Sequence, residues 1–125
     1  MTESQPFWLP DTVELGEPAV TVDEYIRAYL DDPDTWWWTT NLSTEPREIV
    51  LPRTLAIVER ANVAVHQKAL GLLGAGPLED MMSDWLLDEL QALQPLSPEL
   101  KLALSYVRIE TEPPAIQFRL KAMLM

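Results

Sequence analysis

Residues 73–90, LGAGPLEDMMSDWLLDEL, decide how this chain is read. Two glycines and a proline precede a run in which Leu78, Met81, Met82, Trp85, Leu86, Leu90 and Leu93 recur at helical spacing. The spacing predicts one long amphipathic helix from Pro77 to about Gln94, central to the core, with Trp85 largely buried in it. Each preceding residue has a use in that reading. Gly74 takes the left-handed position after a short helix, and Gly76 permits a tight turn. Pro77 pre-sets the first helical dihedral. Glu79 and Asp80 face the positive end of the helix dipole. The stretch is not a phosphate loop: it has no Gly-Lys-Ser/Thr ending, and its acids would repel a phosphate from the helix start.

Outward from this point the chain reads as further short helices. Residues 62–74, NVAVHQKALGLLG, form a helix that Asn62 can cap. Residues 21–24, TVDE, make a capping box, and Val22, Tyr25, Ile26, Tyr29 and Leu30 follow on one face. That helix should end near Asp32, because Pro33 disfavours helix before it. In DPDTWWWTTNLSTEP (32–46), Asp34 is a candidate N-cap for a short helix through the tryptophans. Thr and Trp also allow a strand over 35–42. Ser43 or Thr44 with Pro46 marks another start. REIVLPRTLAIVERA (47–61) is either kinked at Pro52 or two pieces, the second carried by Leu55, Ile57, Val58 and Ala61. SPELKLALSYVRI (97–109) restarts with Ser97 as cap, Pro98 at the first position and Glu99 near the positive end. EPPAIQFRLKAMLM (112–125) is a last helix with Arg119 and Lys121 toward its C-terminus.

No alternating strand pattern persists, so the expected fold class is all-α. We expect a single compact domain of about six or seven short helices over residues 21–125, preceded by an extended arm over 1–20 that Phe7, Trp8 and Leu9 tie down. A chain of 125 residues with 47% apolar content can bury a core without staples. The absence of cysteine removes disulfides, thiolate metal sites and cysteine nucleophiles, and suits a reducing cytoplasm. MTESQPFWLPDTVELGEP (1–18) has no basic start and no apolar core of a secretory signal. No apolar run approaches the roughly 20 residues of a membrane span. The net charge of −11 disfavours nucleic acid and anionic membrane as direct partners. A basic protein partner fits it, and so does solubility alone.

Candidate chemistry is sparse. His66 is the single histidine and has no acid within four residues, so it reads as a surface or half-buried helical residue rather than a catalytic or metal-binding one. Asp31, Asp32 and Asp34 lack the glycine and distal glutamate of a calcium loop. Asp34 serves as a cap, but Asp31 and Asp32 oppose the dipole of the helix they end. Trp36, Trp37 and Trp38 would fan over about 200° on a helix, too wide for one buried face. They either bridge two layers or leave an aromatic exposed beside carboxylates, as interface hot spots do. The expected site is therefore a protein-binding patch of Asp31, Asp32, Asp34, Trp36, Trp37 and Trp38, with no catalytic, cofactor or metal residues.

LGAGPLEDMMSDW resembles a bacterial family of uncharacterised helical domains with a Gly-Pro-Leu-Glu-Asp helix start. Gly76, Pro77, Leu78, Glu79 and Asp80 carry the resemblance, Met81 and Met82 stand where that family has leucines, and the matching block spans Val63 to Leu87. The tryptophans are outside the pattern. The small, acidic, helical character also resembles, in style, the immunity proteins that accompany bacterial toxins. The acid excess, the absent catalytic motif and the tryptophan cluster lead to the expectation of a non-enzymatic, immunity- or inhibitor-like protein that occludes a basic surface of a bacterial toxin or other protein. The alternative from a different class is a structural or self-assembling subunit, such as a homodimer.

Overall fold

Where a helix start can be closed by neighbouring residues, it forms as the sequence predicts. Thr21 Oγ1 accepts from the Glu24 N–H at 3.1 Å, and the Glu24 carboxylate accepts from the Thr21 N–H at 3.0 Å. This capping box opens α1 (Val22–Asp31). The computed structural model describes residues 12–13, 20–43 and 45–125. Its other helices are α2 (Pro33–Trp36), α3 (Arg47–Arg60), α4 (Gln67–Leu73), α5 (Asp84–Gln91), α6 (Pro98–Leu104) and α7 (Pro114–Leu124). A two-residue antiparallel ladder, β1 (Thr12–Val13) with β2 (Val20–Thr21), precedes them and leaves the class all-α. The Phe7, Trp8 and Leu9 anchor lies outside the described residues. Ser97 caps α6 through the Leu100 N–H at 3.1 Å, with Pro98 at its first position. The described helices include none long and apolar enough to cross a membrane.

The deciding stretch folds differently from its reading. Gly74 is not a left-handed terminus: its φ of −70° and ψ of −50° are right-handed, and the chain continues through it. Residues Gly74–Leu78 form a widened π turn, in which the Glu79 N–H reaches back to Gly74 O. Pro77 explains the widening, because it has no N–H to give and its ring would strike the carbonyl four residues back. Gly74 has a packing reason: a Cβ there would stand 1.8 Å from Ala103 O of α6. The real helix start comes later. Ser83 has extended backbone and its Oγ accepts from the Leu86 N–H at 3.3 Å, so α5 begins at Asp84. The single helix expected from Pro77 to Gln94 is therefore two pieces with a turn between them.

The apolar stripe survives the break. Leu78, Met81, Met82, Leu86 and Leu90 are all buried in the core with Tyr25, Tyr29, Ile57, Leu70, Leu73 and Leu120. Full burial of each such leucine contributes about 1.5–3 kcal/mol. Trp85 and Leu93 are the exceptions. Both are only partly buried, and the Arg47 guanidinium sits 4.3 Å from the Trp85 ring centroid. Leu86 and Leu87, completely buried, take the central place expected of Trp85. α3 runs unbroken through Pro52, which resolves the choice between one helix and two. Ion pairs between distant elements latch the helices: Asp23 with Arg60, Asp34 with Lys68, Glu79 with Arg108, and Asp84 and Asp88 with Arg119.

Candidate functional site

The junction of α1 and α2 assigns the acids new roles. Asp32, not Asp34, stands ahead of α2, where its Oδ2 accepts from Thr35 Oγ1 at 2.7 Å and its carbonyl from the Thr35 N–H at 3.1 Å. An acid that opposes the dipole of α1 thus meets the favourable end of α2. Asp34 lies in the first turn of α2 and pairs with Lys68 of α4. Asp31, at the end of α1, is exposed.

The tryptophans divide between α2 and a 3₁₀ turn, Trp37–Thr40. Residues 35–40 are thus helical, not a strand, and 41–42 lead out of the turn. Trp36 is partly buried against the core, while Trp37 is 53% and Trp38 39% exposed. The turn is pinned from below. Thr39 Oγ1 donates to Trp36 O at 2.7 Å, so the 2.6 Å contact with Tyr25 must be donated by the tyrosine hydroxyl. Burial pushes the Tyr25 hydroxyl well above its ordinary value and keeps it a donor. Arg53 of α3, itself buried, gives Nη1–H to Thr39 O at 2.8 Å and pairs with Glu45. Sequence reasoning missed Thr39, Arg53 and Glu45. An arginine within the apolar run of α3 was the one available signal.

A pocket of about 250 Å³ opens beside Trp37, between α1, the tryptophan turn and the π turn. Tyr29, Thr40 and Pro77 are its buried residues, and Trp37, Ala75 and Asp80 its exposed rim. Tyr29 Oη has no hydrogen-bond partner among the described residues, and the nearby Thr40 Oγ1 donates to Trp37 O at 3.0 Å. Burial raises the Tyr29 hydroxyl to about 12, with the nearby Thr40 hydroxyl acting weakly in the other direction. Asp80 makes no ion pair among the described residues. Desolvation, and then the Glu79 carboxylate beside it, push its carboxyl above the ordinary value. Glu79 has the opposite fate: Arg108 donates to it from its side chain at 2.8 and 3.1 Å and from its backbone N–H at 2.8 Å, holding it below the ordinary value. The two acids therefore do not greet a helix start, as the sequence suggested. One clamps a distant loop and the other stands at a pocket rim.

His66 is remote from this chemistry. Its Nδ1 accepts from the Asn62 N–H at 2.9 Å, while Asn62 Oδ1 takes the Ala64 and Val65 N–H groups, so Asn62 caps the turn leading into α4. Among the described residues, no three His, Asp or Glu side chains gather as they would to hold a metal ion. A second depression runs along α3 opposite α5 and the start of α6. Two cavities of about 380 and 230 Å³ share Leu55 and Leu93 there and carry Glu48, Glu59, Glu89 and Glu99 among their lining residues. Comparison with protein-family models, curated proteins and solved structures finds no match for this chain.

Proposed function

We propose that this chain is a non-enzymatic binding protein that docks against a basic protein surface, inhibitor-like in the manner of an immunity protein. The carrying observation is the tryptophan turn. Trp37 and Trp38 hold large aromatic surface in water while their backbone is anchored by Thr39, Tyr25 and Arg53. A large aromatic, Trp37, held outward at the edge of a pocket that Asp80 also lines is the arrangement of an interface anchor. The charge supports the sign of the partner. Arg47, Arg53, Arg60, Lys68, Arg108 and Arg119 each face a carboxylate, and the net charge remains −11. The partner would arrive by electrostatic steering and be held by the aromatics.

Affinity capture with the intact chain and with the Trp37→Ala/Trp38→Ala variant as baits tests this reading. Basic proteins should be retained by the intact chain, lost by the variant, and released as salt rises to about 0.5 M, where exposed charges are screened within several Å. The same captured set on both baits, or one without basic proteins, would remove the docking face. A concentration-dependent dimer in light scattering that disappears in the variant would favour the self-assembling alternative.

A further inference from the structure

We propose that the pocket beside Trp37 receives an arginine side chain of the basic partner, its guanidinium stacked on the Trp37 indole and paired with Asp80. This rests on the docking reading above and names what the docking face grips.

Size and chemistry select the guest. A space of about 250 Å³ admits one long side chain and no folded segment. Its apolar lining includes Leu72, Ala75 and Pro77, which suits an aliphatic stem. Trp37, 53% exposed, offers an indole face at the rim, and a planar cation stacks on such a face better than an ammonium does. Among the described residues no lysine, arginine or histidine lines the pocket, so the Asp80 carboxylate meets no cation among them there. Glu79, next in sequence, is already committed to Arg108.

The buried end of the pocket supplies an independent pointer. Tyr29 is completely buried and lines the pocket, yet its hydroxyl has no hydrogen-bond partner among the described residues. A buried polar group left without a partner is costly. The hydroxyl has almost no solvent-accessible surface, so a guest reaches it only where the pocket floor shifts; a guanidinium would then bring five N–H groups in a fixed fork. An apolar guest would leave both Tyr29 and Asp80 as they are, and an anion would be repelled by Asp80. The widened turn matters here too: Gly76, next to Pro77, has open space where a side chain would begin, which leaves that wall low.

The test uses the full chain and a capped Gly-Arg-Gly peptide, followed by the shifts of the Trp37 indole N–H and the Gly76 amide in NMR. Binding in the millimolar range is expected, as befits one side chain. The citrulline isostere, which keeps shape and loses charge, should bind about tenfold or more weakly. The Asp80→Asn variant should lose a similar factor, and Tyr29→Phe a smaller one, with resonances far from the pocket unchanged in both. Equal binding of arginine and citrulline peptides overturns the proposal. So does an equally tight lysine peptide, which would show that the guanidinium plane is unused. Shifts confined to the groove along α3, or none up to tens of millimolar, overturn it as well. The two readings fail separately. A peptide that does not bind, with a basic protein still lost on Trp37→Ala, leaves the docking face and removes the arginine pocket.

Discussion

Pro52 and Pro77 are both helix-interior prolines, and each lines a surface depression, yet the chain treats them differently. Pro52 lies six residues into α3, and the helix passes it without changing register. Its missing N–H costs one bond to the first turn, where carbonyls can turn to water. Pro77 is buried, and around it the backbone widens into a π turn. The contact that forces the difference lies about one turn earlier in the helix. At Gly74 the chain lies against Ala103 O so closely that no Cβ fits, and Leu78, just past Pro77, is completely buried. The helix cannot bend away from its proline there, so it takes up the strain along its own axis. A proline therefore shapes a surface most where the packing on both sides forbids a simple kink.

The largest break in this comparison should come at Gly74. Gly74→Ala forces α6 to move and should cost about 3 kcal/mol or more in chemical denaturation. Gly76→Ala meets nothing within 4 Å and should be neutral or stabilising, by up to about 1 kcal/mol. Similar losses at both positions would mean that the turn needs glycine for its backbone, not for α6.

The prolines themselves should respond with opposite signs. Pro52→Ala restores a donor to α3 and should stabilise by about 1 kcal/mol. Pro77→Ala loses buried contacts while Leu78 and Glu79 hold the widened turn in place, and should destabilise by about 1 kcal/mol and shift Trp37 fluorescence. A gain at both positions would show that the π turn is imposed by the proline alone. At Tyr29, removal of the unpartnered hydroxyl in Tyr29→Phe should leave stability unchanged or raise it by about 1 kcal/mol. A clear loss would place an ordered partner on that oxygen.

The smallest effects concern the two acids after the widened turn, and they differ in sign. Glu79 titrates below its ordinary 4.5 because Arg108 favours its charged form. Its contribution is complete above the unfolded value and is lost as pH falls through the lower folded one. The intact chain should therefore exceed Glu79→Gln in unfolding midpoint at neutral pH, and the two should converge in acid. Asp80 titrates above its ordinary 3.8, so its contribution is present in acid and lost as pH rises through the raised value. Asp80→Asn should match or exceed the intact chain at neutral pH. An Asp80→Asn chain that is less stable there would mean that the carboxylate has found an internal cation.

What was legible in the sequence was whatever a few neighbouring residues settle among themselves. Thr21 with Glu24, and Ser97 with Pro98, closed their caps as read, and the 3.6-residue period gave the all-α class. Gly74 could not be read, because its reason is a carbonyl 29 residues away, and the usual meaning of glycine before proline pointed elsewhere. Glu79 is the same case, its partner being Arg108. Ser83 was legible and missed: a serine followed by aspartate and an apolar pair is a helix start, hidden by the stripe that continues across it. At the tryptophans, the spread over too wide an arc for one face was readable. Which ring faces water depended on Thr39 and Arg53, whose partners lie on other elements.

The pinning of Thr39 by Tyr25, by Trp36 O and by Arg53 bears on time as well as on place. A surface turn held by two buried bonds and a part-buried one should not fray on its own. Its amide protons should exchange with solvent only as the whole domain opens, at rates close to those of α3 rather than of the chain ends. The backbone that carries Trp37 and Trp38 then keeps one arrangement for the full lifetime of the folded state. A partner would meet them already in place, so encounter need not wait for a loop to order, and little freedom is left to lose on contact.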